Sequence, residues 1–171
     1  MISGTGLGFA LSPQYQLSMY EKNPMDLGQP DRFLDLRYID AMIAHHRGAM
    51  MLAKQAGVNS RREEIIKLSQ EILNNEPKAI DELYQWKNEL YSDTNKVKDP
   101  EGIILGASND KFDLRFLNSL IIHHEKGIRM TEEIRSKTTN EKILDNADAV
   151  ELFLSDGLKM LKNWRKTWYN I

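Results

Sequence analysis

Asp35-Leu36-Arg37-Tyr38-Ile39-Asp40-Ala41-Met42-Ile43-Ala44-His45-His46 lines up with Asp113-Leu114-Arg115-Phe116-Leu117-Asn118-Ser119-Leu120-Ile121-Ile122-His123-His124. The offset is 78 residues, and it continues without a gap. Ile65 falls on Ile143, Ile80 on Leu158, Leu83 on Leu161, Trp86 on Trp164 and Tyr91 on Tyr169. A gapless match carrying a paired His-His and a paired Trp marks one unit used twice. All four histidines of the chain lie in these two dipeptides.

Each unit reads as a helical hairpin. From Asp31 to Ala56 the apolar residues Ile39, Met42, Ile43, Ala49, Met50 and Ala53 recur at helical spacing. Gly57 is placed for a C-cap, and Ser60-Arg61-Arg62-Glu63 has capping-box spacing for a helix running to Tyr91. Pro77 inside that helix costs the hydrogen bond to the Leu73 carbonyl. Asn109 or Asp110 is expected to cap a third helix ending near Lys137, and Thr139 or Asn140 a fourth ending near Tyr169.

Four helices of about 25 to 30 residues, each roughly 40 Å long, predict an all-α, up-down-up-down four-helix bundle formed by two tandem hairpins. Its bounds are residues 31–171, with repeat one at 31–91, a linker at 92–108 and repeat two at 109–171. Residues 1–30, rich in glycine and proline, read as a mostly irregular arm with one short helix around Gln14 to Tyr20. In this topology the first and third helices run parallel and lie diagonally across the core. The His pairs, each ten residues past its matched Asp, then share one layer about 15 Å along their helices.

Neighbouring helix residues point about 100° apart, so the two members of each pair face differently. His46 shares a stripe with Ile39, Met42, Met50 and Ala53, and His124 with Leu117, Leu120 and Ile128. These two are expected to face each other, with His45 and His123 on the flanks.

The composition narrows the function. A formal charge of −2 argues against a nucleic-acid partner, and no run approaches the roughly 20 apolar residues of a membrane span. The absence of cysteine removes disulfides, thiolate metal sites and cysteine nucleophiles. The first eleven residues have no basic n-region or continuous apolar h-region, so no signal peptide is read there, and the compartment is left open. No Glu-x-x-His, His-Glu-x-x-His, phosphate loop or nucleophile elbow occurs, so no reaction is assigned and a non-enzymatic role is expected.

Imidazole with thioether sulfur suits a soft ion such as Cu(I). The candidate metal ligands are His45, His46, His123 and His124, supported by Met42, Met50 and Met130. The alternative is a structural or partner-binding bundle whose histidines are satisfied by carboxylates or backbone carbonyls without metal. A homo-oligomer is compatible with either.

Asp35-x-x-Tyr38-x-x-x-Met42-Ile43-x-His45-His46-x-Gly48-Ala49, with its second copy around His123-His124, resembles the DUF305 family over about residues 31–169. The resemblance implies a ferritin-like four-helix bundle, with copper binding or resistance in some members, often as exported proteins. Leu120, Leu52 and Lys126-Gly127 depart from that pattern, as does a linker without the Met-rich turn. Leu120 and Leu52 each remove a thioether that the pattern would supply.

Overall fold

The computed structural model describes residues 26–171; the expected short helix around Gln14 to Tyr20 lies outside them. Four helices follow in order: α1 (Leu34–Asn59), α2 (Glu63–Tyr91), α3 (Phe112–Arg135) and α4 (Glu141–Tyr169). The four-helix bundle of two hairpins is as the repeat predicts.

The direction of the second hairpin is not. The start of α1 meets the end of α3: Asp35 accepts hydrogen bonds from Thr138 Oγ1 at 2.7 Å and Asn140 Nδ2 at 3.1 Å. The start of α2 meets the start of α3 through the Arg62–Asp113 ion pair at 3.5 Å. Therefore α1 and α3 are antiparallel and the topology is up-down-down-up. They are not diagonal partners either: each packs on its hairpin mate, and the two pack directly on each other.

The linker makes this possible. Residues 92–111 form a crossover that climbs the side of α1 and returns the chain to the end where α2 began, the single long connection of ferritin-like bundles. Arg47 donates to the Val97 carbonyl at 2.7 Å, Gln55 to the Ile103 carbonyl at 2.7 Å, and Ser108 Oγ to the Asn59 carbonyl at 2.7 Å. Lys87, almost fully buried at the far end of α2, holds Asp40 at 2.7 Å and Asp93 at 3.3 Å.

Two arginines clamp the crossover and its counterpart. Arg37 donates to the carbonyls of Leu27 and Gln29 and to Asp31. Arg115 makes the same three bonds to Leu105, Ala107 and Asn109. Gly28 and Gly106 pass beneath these guanidinium groups with φ of 71° and 79°, a conformation open to glycine and strained for other residues. Leu27 and Leu105 are buried alongside. The repeat therefore begins at Leu27, upstream of the expected boundary.

The helix ends also differ from expectation. Gly57 stays helical, and Ser60 is the C-cap of α1. Ser60 Oγ accepts from Arg62 N at 3.1 Å, so it forms a turn before α2 rather than a capping box. Asn109 likewise accepts from Lys111 N ahead of α3, whereas Asn140 caps α4 as expected. α2 runs unbroken through Pro77.

Glycine placement gives a test. A Cβ on Gly127 would sit 2.7 Å from His45 Nε2, whereas one on Gly57 would meet only Ser69 Cβ at 3.7 Å. Gly127→Ala should cost about 1–3 kcal/mol by overpacking. Gly57→Ala should gain about 0.5–1 kcal/mol from helix propensity. Thermal melts of the two variants should move in opposite directions.

Candidate metal centre

The two central helices meet at the histidines. The rings of His45 and His123 stack with centroids 3.8 Å apart and planes 16° from parallel. His46 lies 6.1 Å from His45, and His124 lies 6.3 Å from His123. All four imidazoles thus form one layer, although the helices that carry them are antiparallel. The His pair is close to the midpoint of each helix, so the layer survives reversal of direction.

The facing pair is His45–His123, which corrects the expected His46–His124 pairing. Each central helix has two neighbours and so buries two arcs. His45 shares one arc with Tyr38 and Leu52, both fully buried, and meets α3. His46 turns to α2 and His124 to α4.

Three of the four rings have a hydrogen-bond partner. The His123 carbonyl can only accept, so His45 donates its Nε2–H to it, at 3.1 Å. That carbonyl is open because Gly127, one turn on, has no side chain to cover it. His124 donates Nδ1–H to the Leu120 carbonyl at 3.0 Å, and its Nε2 lies against Gly157 of α4. His46 Nδ1 pairs with the Glu76 carboxylate of α2, both side chains being 14% exposed. His123 Nε2 is buried without a hydrogen-bond partner among the described residues.

Burial holds the rings of His45, His123 and His124 neutral. It drives His45 down to about 3, against a raising contribution from the His123 carbonyl. It also takes His123 well below its ordinary range and lowers His124 in spite of the Leu120 carbonyl and the Glu76 charge. Neutral imidazole is the form that binds metal. Among the described residues, however, no three histidine or acidic side chains are poised together around an ion. The stacked rings aim their in-plane lone pairs along parallel planes, so one ion can take both only after a ring rotates.

The thioethers are distributed along α1 and α3. Met42 is fully buried one turn before His46, and half-buried Met50 is one turn after it. Met130 is buried with Ile134 and Ile143, seven residues past His123 and about 10 Å along the axis. Glu76 was missed in the sequence because its partner His46 is 30 residues away; only the hairpin register joins them.

A family model described as "Domain of unknown function (DUF305)" matches residues 35–110 and 113–171. None of the curated proteins matches significantly. Solved structures of CopM do. The Ag-bound form obtained by co-crystallisation is 23% identical with a TM-score of 0.68, over 77% of this chain and 95% of that one. The Cu(I)-bound form is 24% identical with the same score and coverage. The Cu(II)-bound form is 23% identical, again at 0.68, over 79% and 97%. At these identities the likeness is one of fold.

The neutral layer fixes a pH dependence. An unfolded chain protonates its histidines near 6.5, whereas the folded chain holds His45, His123 and His124 unprotonated to lower pH. Stability is therefore complete above about pH 6.5 and falls as pH drops, by up to about 1.4 kcal/mol per pH unit for each such group. Urea midpoints should be level above pH 7 and decline from pH 6.5 to 5. A level profile through that window would contradict the assignment.

Proposed function

We propose, from the premise that the chain belongs to the DUF305 family, that it is a metal-binding helical bundle whose histidine layer takes Cu(I) or Ag(I). A role in storing, sequestering or resisting such ions follows from that capacity. Export from the cytoplasm, which the family resemblance implies, belongs to the same proposal.

The observation that carries the reading is the buried His123 Nε2 with no hydrogen-bond partner among the described residues, on a ring that burial holds neutral. A polar atom desolvated without a hydrogen bond costs free energy that a ligand can recover. CopM, which shares the fold, has been solved with Ag, Cu(I) and Cu(II) bound. His45, His46, His123 and His124 are the residues to hold the ion, with Met42 and Met50 nearest as thioether donors. Met130 is the most distant of the candidates.

A second reading has its own support. Three of the four histidines already have partners: His45 in the His123 carbonyl, His46 in Glu76 and His124 in the Leu120 carbonyl. On this view the layer is a buried polar network that fixes how the helices cross, and no ion is needed.

Melting curves of untagged protein separate the two. At a hundredfold excess over the dissociation constant, a bound ion adds about 2.7 kcal/mol, or roughly 5–10 °C for a chain of this size. Cu(I) or Ag(I) should produce this shift, and a His46→Ala/His123→Ala variant should lose it. If Cu(I), Ag(I), Zn(II) and Ni(II) all leave the curve unchanged, the metal reading fails and the network reading stands.

A further inference from the structure

We propose that Glu76 is the positioning residue of this centre: its carboxylate takes the Nδ1–H of His46, fixing the tautomer that leaves Nε2 free as a donor to the ion. The inference rests on the metal-binding reading above and specifies which half of the layer does the binding.

The two copies are unequal here. The residue that matches Glu76 in the second hairpin is Leu154, so His124 has no carboxylate partner and donates to the Leu120 carbonyl within its own helix. The free Nε2 of His124 is closed off by α4, lying 2.6 Å from where a Cβ on Gly157 would stand. A free imidazole favours the proton on Nε2, which blocks that atom as a ligand. Donation of Nδ1–H to a carboxylate reverses the preference and raises the basicity of the remaining nitrogen, the usual arrangement behind a metal-bound histidine. Glu76 also brings a carboxylate, with a side chain only 14% exposed, to the histidine layer, which suits a cation.

This half of the layer adjoins an opening. A cleft of about 390 Å³ between α1, α2 and the crossover is lined by Met50, Met51, Pro77 and Asp81, together with Lys54 and the Arg47–Asp99 ion pair. Met50 is one turn past His46, and Pro77 follows Glu76 directly.

The test combines ¹⁵N spectroscopy of the imidazoles with Ag(I) affinity measured by chelator competition. In the metal-free wild type, His46 should show a protonated Nδ1 and an unprotonated Nε2. Glu76→Leu, which gives copy one the residue of copy two, should move the proton to Nε2 and weaken Ag(I) binding by about 10–100-fold. Glu76→Gln keeps an acceptor oxygen, so it should retain the tautomer and lose less affinity. If the wild type binds Ag(I) and Glu76→Leu binds it within twofold, Glu76 has no positioning role while the metal reading survives. If the wild type binds none of the ions, both fail. Should Glu76→Leu not fold, the wild-type spectrum decides: a His46 carrying its proton on Nε2 overturns the proposal.

Discussion

The contact of α1 with α3 through the stacked rings of His45 and His123 is the constraint on which the rest of the bundle depends. Two helices can approach closely only where side chains are small, and here Gly48 lies under His123 and Gly127 under His45. The glycines weaken each helix locally, by about 0.5–1 kcal/mol apiece relative to alanine. In exchange the flat rings occupy the seam, and the His123 carbonyl is open to His45. A core of aliphatic residues alone could pack this seam, but it would not specify one crossing point so narrowly. The hydrogen bond from His45 to the His123 carbonyl, which forms in one register only, does.

Reversal of the second hairpin leaves the layer intact because both histidine pairs are mid-helix. When the helices are antiparallel, the end of α1 packs with the start of α3, and two apolar clusters form on either side of the layer. One gathers Ala49, Leu52, Ala53 and Ala56 with Phe112, Phe116 and Leu120. The other gathers Tyr38, Ile39 and Met42 with Met130 and Ile134. The crossover must then span a helix length of about 40 Å, which 20 residues at up to 3.3 Å each cover with slack. That slack is taken up by the Arg115 clamp, and the copy at Arg37 holds the chain entering α1 in the same way. The layer and the straps thus address one problem, how two identical hairpins are joined head to tail by a chain that has to run back.

Much of this was legible in the sequence, for reasons that can be named. The gapless repeat fixed the hairpin unit, and helical periodicity located four helices to within a few residues. Direction was not legible from periodicity, because an amphipathic stripe is the same whether its partner runs up or down. The cue was linker length: residues 92–108 far exceed what adjacent antiparallel helices need. The Leu-Gly-x-x-Asp/Asn match at 27–31 and 105–109 was another cue, hidden because Gln29 and Pro30 differ from Ala107 and Ser108. The layer of four histidines was legible from their positions, but their facing was not. One inward direction was assumed for helices that have two buried sides.

The second buried side of each central helix bears on how the copies have diverged. Duplication supplies two equal His-His pairs, and the facing members, His45 and His123, stay in equivalent roles at the seam. The outer members do not. His46 turns to α2 and pairs with Glu76, whereas His124 turns to α4, lies against Gly157 and donates to the Leu120 carbonyl of its own helix. The same divergence appears one seam away, where Lys87 holds Asp40 and its counterpart Arg165 holds the uncharged Asn118. In both places copy one keeps a carboxylate partner where copy two has an uncharged one. A symmetric scaffold has therefore become an asymmetric polar site: copy two supplies packing and one orphaned imidazole nitrogen, and copy one supplies the carboxylate at His46.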